Sequence, residues 1–179
     1  GIGFTDANVK VGNTALDSLT TGNYNTAVGH QSLTANTTGN NNTSVGNESL
    51  DANTTGASNT AIGAAALGVN STGDNNVAVG ALALDANTTA SANTAVGRAS
   101  LSANTTGATN TALGYNSLVA NTTASNNTAV GAETLTTNTT GTKNTAVGAY
   151  ALEDNTTADN NTALGLSLIH ISEPTRQAM

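Results

Sequence analysis

The side chains best able to do chemistry in this sequence are few and do not recur as a set. There are two histidines, His30 and His170, and there is no cysteine. Nucleophilic and acid–base catalysis require a nucleophile, a base and a group that orients the base. No such set of Ser, His and Asp repeats along the chain. We therefore expect a protein that is not an enzyme and that has no cofactor.

Carboxylates are the next candidates, as metal ligands. Asp17, Asp51 and Asp85 occupy one position of the repeat described below, but they stand two repeats apart. Two strand spacings are about 10 Å, which is too far for the three carboxylates to share a calcium ion. The sequence predicts no metal site, and solvated acidic side chains account for these residues.

Composition and charge exclude other classes of protein. Four Lys and Arg residues and a formal charge of −7 leave too few cations to neutralise phosphates, which excludes nucleic acid as a partner. No apolar run approaches the ~20 residues that span a bilayer, so we expect no membrane segment in this part of the chain. The start, GIGFTDANVK, has neither an initiator Met nor a signal-peptide core, and we expect an interior fragment.

A strict internal repeat organises residues 1–165. One glycine closes each unit, and every interval between these glycines is 17 residues: Gly12, Gly29, Gly46, Gly63, Gly80, Gly97, Gly114, Gly131, Gly148 and Gly165. A fixed period without insertions indicates units that stack on one another in the same way. Residues 1–165 are therefore predicted to be a single array of nine to ten coils.

Apolar and amide residues recur in register with these glycines. One ladder is leucine, including Leu33, Leu50 and Leu67, and a second is mostly valine, including Val28 and Val45. Two asparagine columns begin with Asn36, Asn53 and with Asn25, Asn42, Asn59. Asn tolerates left-handed turns and bonds nearby backbone, so these columns indicate corners, and stacked amides can also bond one another.

The repeated segment N-T-A-V-G has the chemistry of a β-strand. β-Branched residues alternate with a small one at period two, whereas Gly, Asn, Thr and Val all disfavour a helix. We predict an all-β parallel β-solenoid, or β-roll, with strands at N-T-A-V-G and around the S-L pair. Stacking at about 4.8 Å makes a rod roughly 45 Å long.

The strand pattern leaves two questions open. Adjacent Ala and Val point to opposite faces, so either Val faces out as an exposed stripe, or Val and Leu both point inward and one chain closes its own core. An exposed stripe favours a trimer and a closed core favours a monomer.

The unit-closing glycine is explained equally by a positive φ or by a lack of room for Cβ. A second glycine slot, which includes Gly39, is filled by Ala90, Ala124 and Ala158 in other units, so it does not require a conformation unique to glycine.

The phrases N-T-A-V-G, S-L and N-T-T-G resemble the repeats of trimeric autotransporter adhesin heads (YadA-like) and those of phage tail fibres and similar surface fibres. The resemblance covers about residues 8–165. It implies a parallel β-roll, left-handed in adhesin heads, with three chains around one axis, outside the cell or virion, and a host or surface receptor as partner. The adhesin unit is usually nearer fourteen residues, and the fibre repeats fit the length better.

The last segment, 166–179, does not follow the repeat. Residues 166–176, LSLIHISEPTR, resemble the translation of a sequencing adapter. We expect this tail to be non-native.

These observations predict a stiff extracellular rod for surface attachment. Candidate contact residues lie at variable positions of the repeat: Tyr24, His30, Gln31, Arg98, Tyr115 and Tyr150. The alternative function is ice binding by a single-chain solenoid, through threonine ranks such as the one that begins Thr26, Thr43, Thr60 and is interrupted by Val77. The N-T-T strings also match the N-glycosylation acceptor pattern, but turn chemistry already accounts for the asparagine.

Overall fold

A computed structural model describes residues 2–5 and 7–166, and this part of the chain is all-β with no helix. Its strands form one sheet in chain order. They are β1 Ile2–Thr5, β2 Asn8–Val11, β3 Thr26–Val28, β4 Thr43–Val45, β5 Thr60–Ile62, β6 Val77–Val79, β7 Thr94–Val96, β8 Thr111–Leu113, β9 Thr128–Val130, β10 Thr145–Val147 and β11 Thr162–Leu164. β2 to β11 are parallel, and each residue pairs with the one 17 positions on, as Thr26 does with Thr43. The predicted β-solenoid with 17-residue coils is confirmed.

Each strand from β3 onward buries its middle residue and turns its first and third residues outward. Ala27, Ala61 and Ala95 are completely buried, whereas the flanking Thr and Val side chains are half-buried or exposed. Leu33 and its equivalents are buried inside the coil. The question left open by the sequence is thus resolved, because leucine fills the core and valine faces out.

The second predicted strand, around Ser32 and Leu33, is wrong. Residues 30–35 form turns, and the buried leucines of this column have φ between 49° and 55°. A left-handed backbone costs a non-glycine residue roughly 1–2 kcal/mol. Burial of the leucine and the bond from its N–H to the next coil, as in Leu33 to the Ser49 carbonyl at 3.0 Å, offset that cost.

Both explanations of the unit-closing glycine hold. These glycines have φ between 128° and 144°. A Cβ atom built on Gly29 would lie 2.3 Å from the carbonyl oxygen of Gly46 in the next coil. The second glycine slot has no positive φ, as its replacement by alanine predicts, and Ala90 is buried there.

The two asparagine columns lie inside the coil and not at its left-handed corners. Asn53 Nδ2 donates to Asn36 Oδ1 at 2.9 Å and to the Gly56 carbonyl at 3.0 Å. In the other column, the Asn59 N–H donates to Asn42 Oδ1 at 2.9 Å, and Asn42 Nδ2 donates to the Gly56 carbonyl at 2.8 Å. Within the described residues, no buried side-chain nitrogen or oxygen is left without a hydrogen bond. The left-handed positions outside the leucine column belong to the Gln31 and Asn41 slots.

The first coil differs from the others. β1 pairs antiparallel with β2, so a strand that the sequence did not predict covers this edge of the sheet. Lys10 occupies the slot that holds buried Ala27 one coil later, and its Nζ lies 4.0 Å from Asp17. Leu19 takes the place of the Asn36 amide and packs against the core. If a further coil like the others stacked on β2, the Lys10 ammonium group would be buried, which is costly. β1 occupies the position that the strand of such a coil would take.

Residues 2–5 and 7–166 contain no helix long and apolar enough to cross a membrane. The predicted non-native tail lies outside the described residues, apart from Leu166.

Candidate functional surface

The outward side of the sheet is a continuous surface made of two ranks, which we term the Thr/Val face. The first rank contains Thr26, Thr43, Thr60, Val77, Thr94, Thr111, Thr128, Thr145 and Thr162. The second contains Val28, Val45, Ile62, Val79, Val96, Leu113, Val130, Val147 and Leu164. Neither rank contains a charged side chain. The face is therefore uncharged, rich in methyl groups and repeated at the strand spacing of about 4.8 Å.

The threonine hydroxyls of this face have no protein hydrogen-bond partner among the described residues. By contrast, the first Thr of the N-T-T corners from Thr37 to Thr139 uses its hydroxyl within the coil stack, as Thr37 Oγ1 does toward the Thr54 carbonyl at 3.1 Å. The two kinds of threonine rank thus have different roles. Corner hydroxyls such as that of Thr37 stabilise the rod, and the hydroxyls of the Thr/Val face remain available to solvent or a partner.

A further threonine column, already visible in the sequence as the second Thr of the N-T-T corners, lies on the surface. It comprises Thr21, Thr38, Thr55, Thr72, Thr89, Thr106, Thr123, Thr140 and Thr157, all exposed. Its signal is present in the sequence, since no copy departs from Thr, whereas the exposed column that includes Tyr24, Asn41 and Lys143 varies freely. Duplication of the repeat alone would have left both columns equally uniform, so the uniform threonine column indicates a constraint on that position.

The predicted contact residues flank the Thr/Val face on its two sides. His30, Gln31, Arg98, Tyr115 and Tyr150 follow the strands, on what we call the trailing edge, whereas Tyr24 precedes β3, on the leading edge. They do not form one cluster. Two pairs do form on the trailing edge: His30 Nδ1 lies 3.2 Å from Asn47 Oδ1, and the Arg98 guanidinium carbon lies 5.9 Å from the centre of the Tyr115 ring.

Two carboxyl groups have shifted pKa values. Partial burial raises the pKa of Asp85. Hydrogen bonds from the N–H and the hydroxyl of Thr142, with a smaller contribution from the Lys143 charge, lower the pKa of Asp159. Neither group lies in a cluster suited to a metal, because the described residues contain no set of three His, Cys, Asp or Glu side chains that could hold an ion.

The N-T-T asparagines are not accessible in the folded chain. Asn36, Asn53 and Asn87 are fully buried, and their amides are engaged in the ladder. A glycan attached to one of these nitrogens would remove its bonds and would not fit inside the coil. The folded rod therefore excludes modification at these sites.

Fold and surface together define a parallel β-solenoid repeat protein with an uncharged Thr/Val face. Comparisons with protein-family models, with curated proteins and with solved structures give no match to this chain. The resemblance to adhesin heads and surface fibres therefore rests on the repeat phrases alone.

Proposed function

We propose that the chain is a structural and adhesive fibre segment, a stiff extracellular rod on a cell surface or virion fibre. The observation that carries this proposal is the continuity of the ladders. From the second coil on, backbone pairing, the leucine column and at least one buried amide ladder link each described coil to its neighbours. No coil lacks these links, so the array has no built-in hinge.

Self-association as a homotrimer is part of this proposal. The Thr/Val face leaves a stripe of β-branched and leucine side chains outside the core, with Ile62 at 41% and Val96 at 38% exposed. Complete burial of such a side chain stabilises by about 1.5–3 kcal/mol. Nine partly exposed side chains in one row therefore favour a partner that covers them.

The two edges of the face are where a host or surface receptor would be recognised, because the side chains beside the uniform Thr/Val face change there from coil to coil. Tyrosine and arginine are the residues that most often dominate binding energies. Tyr115 and Tyr150 are 46% and 41% exposed and lie on the same edge as Arg98. Binding through such side chains needs no catalytic group, and we propose a non-enzymatic role.

A series of coil deletions tests the rod. Excision of residues 81–97 removes one whole coil and joins Gly80 to Arg98 in the correct register. We expect an unchanged circular dichroism spectrum and a longest dimension that is shorter by about 4.8 Å in small-angle scattering. Excision of residues 81–94, fourteen residues, is the matched control and should disrupt the ladders. A whole-coil deletion that leaves the length unchanged would contradict the rod.

Adhesion is tested separately, by the retention of chain-coated beads on cell layers. Replacing Tyr115 and Tyr150 with serine should reduce retention, whereas Asn75→Ser, at a slot where Ser58 already stands, should not. Equal retention by all variants would contradict recognition of a receptor through the trailing edge.

Ice binding is a second candidate, favoured by the unpartnered hydroxyls and methyl groups that repeat along one continuous sheet. The test is the shape and growth rate of single ice crystals. If the face binds ice, Thr111→Lys at its centre should abolish the effect, and Asn126→Lys, at the slot where Lys143 already stands, should not. Crystals unaffected by the unmodified chain would exclude this candidate.

A further inference from the structure

A surface that repeats in every coil does not fix how two copies align. Sliding one Thr/Val face along another by a single coil, about 4.8 Å, brings equivalent side chains back into contact. The face alone therefore permits several registers of similar energy. Residues that occur once along the rod must select among them, and these residues lie on the two edges.

The relative direction of two copies decides which edges meet. When copies are related by rotation about an axis parallel to the rod, the trailing edge of one faces the leading edge of the next. When the copies run antiparallel, with the two-fold axis across the rod, each edge faces its own equivalent. Charges on the edges therefore distinguish the two arrangements.

Arg98 is the unpaired cation of the trailing edge. It is exposed, it follows β7, and it has no ion-pair partner within the described part of its own chain. The contact with Tyr115 orients its guanidinium group without neutralising it. An oriented guanidinium with free N–H groups is suited to a carboxylate.

Asp74 is the acidic group of the leading edge at almost the same height. It precedes β6, the strand next to β7, so the two residues differ by one coil along the rod. One Asp74 carboxylate oxygen accepts the Ala57 N–H at 2.7 Å, which holds the group in place. A carboxylate so held has a second oxygen that remains suitable for a guanidinium on another copy.

A second pair of opposite charges on the two edges favours the same register, with the opposite offset along the rod. Glu133 follows β9 on the trailing edge, and Lys143 precedes β10 on the leading edge. Here the leading-edge residue is one coil higher, whereas Asp74 is one coil lower than Arg98. If one copy slides along the other by a coil, one of the distances Arg98–Asp74 and Glu133–Lys143 becomes shorter and the other becomes longer. Both pairs are therefore close at the same time only when equivalent coils of the two copies lie side by side.

The area of the face is consistent with a second copy of the chain as its partner. Nine strands at about 4.8 Å and three residues of width at about 3.3 Å give roughly 430 Å² per copy, or about 850 Å² for two. Specific interfaces begin near 1,000 Å². The face alone falls slightly short of that size, and the two edges supply the remainder.

We propose that copies of the chain pack parallel and in register through the Thr/Val face, with Arg98 of one copy paired with Asp74 of the next. This rests on the proposed self-association. It adds the direction, the register and the residues that set them.

Sedimentation equilibrium of the full chain and its variants tests the pairing. Arg98→Glu should weaken association on the order of ten-fold, because it replaces an attraction by a repulsion in each interface. Adding Asp74→Arg should restore it. The matched control, Arg98→Glu with Asp51→Arg, has the same net charge but places the new cation outside both edges, and it should not restore association.

The relative direction of two copies is tested by disulfide crosslinking. Because the sequence contains no cysteine, any disulfide that forms must join the introduced cysteines. In the parallel arrangement the Thr rank of one copy lies opposite the Val rank of the next, so Thr128→Cys chains and Val130→Cys chains that are refolded together should form a mixed disulfide. A full antiparallel overlap of the face, β3 to β11, would place β9 against β5, and that disulfide would not form.

The possible results separate the two proposals. An oligomer that is indifferent to Arg98→Glu, or that is restored equally by Asp51→Arg and Asp74→Arg, overturns the pairing and leaves self-association standing. An unmodified chain that is monomeric at every concentration overturns both.

Discussion

Replacement of a single buried asparagine by alanine in mid-array should destabilise the rod strongly, and Asn70 is the position we would choose. Its Nδ2 donates to Asn53 Oδ1 at 2.9 Å and to the Gly73 carbonyl at 3.0 Å, and its Oδ1 accepts from Asn87 Nδ2 at 2.9 Å. Gly73 keeps a second donor, from Asn59, when Asn70 is replaced.

The magnitude follows from the groups left without a partner. In the Asn70→Ala variant, Asn53 Oδ1 loses its donor and one N–H of Asn87 loses its acceptor, both in fully buried side chains. Each such group costs about 1–3 kcal/mol. We therefore expect the free energy of unfolding to fall by about 2–5 kcal/mol.

The matched control lies five residues away. Asn75 is exposed, has φ of 58°, and is aligned with Ala92, which adopts φ of 62° in the next coil. Asn75→Ala should therefore lower the free energy of unfolding by no more than about 1 kcal/mol, because alanine tolerates the left-handed backbone less well than asparagine but breaks no buried contact.

Urea unfolding followed by circular dichroism measures both variants, with the slope m as a check that the exposed area is unchanged. Equal stabilities of the Asn70 and Asn75 variants would refute the view that the amide ladder stabilises the stack.

Three further predictions concern the glycine bend, an acidic group and the N-T-T corners. Gly97→Ala should lower the free energy of unfolding by more than about 3 kcal/mol in the same urea assay, because φ is 132° and its Cβ would lie 2.4 Å from the Gly114 carbonyl oxygen; a loss below 1 kcal/mol would contradict this. Because the pKa of Asp85 is raised on folding, the folded chain binds the proton more tightly and this group's contribution falls as pH rises above the unfolded value of 3.8. Asp85→Asn should thus raise the melting temperature at pH 7 but not at pH 3, and the opposite order would be inconsistent with burial as the cause. Chain secreted from eukaryotic cells should carry no glycan at Asn36 in its folded fraction, and mass spectrometry of a folded, modified chain would show that the amide ladder is dispensable.

The period and the strand chemistry made most of the fold predictable. A glycine every 17 residues and the T-A-V alternation lead directly to the parallel strand at N-T-A-V-G, and the small residue at the centre of this strand predicts alternation between inside and outside. The direction of that alternation was not predictable, because an interior made of Val and Leu and one made of Ala and Leu satisfy the same pattern.

The turn that contains Leu33 shows where local preference fails. Leucine rarely adopts positive φ, so a sequence gives no reason to place nine of them there. Stacking imposes this conformation, since it buries the leucine and satisfies its N–H in the next coil. The asparagine columns were predictable in part: the predicted bonds between stacked amides are confirmed, whereas their burial was not predicted, because a buried ladder and an exposed corner both select Asn.

The candidate surface was predictable only in part. Variable positions such as His30 and Arg98 were identified by comparing units, and the structure places them beside the Thr/Val face. That Arg98 and Asp74 stand on opposite edges at neighbouring strands requires the path of the coil. The homotrimer and the receptor stay predictions.

Sedimentation equilibrium of the unmodified chain is the most direct test of self-association through the outward Thr/Val face. We expect a mass three times that of the 17.5 kDa chain. A single-chain mass at every concentration would contradict it, and would show that the outward valines are tolerated in water.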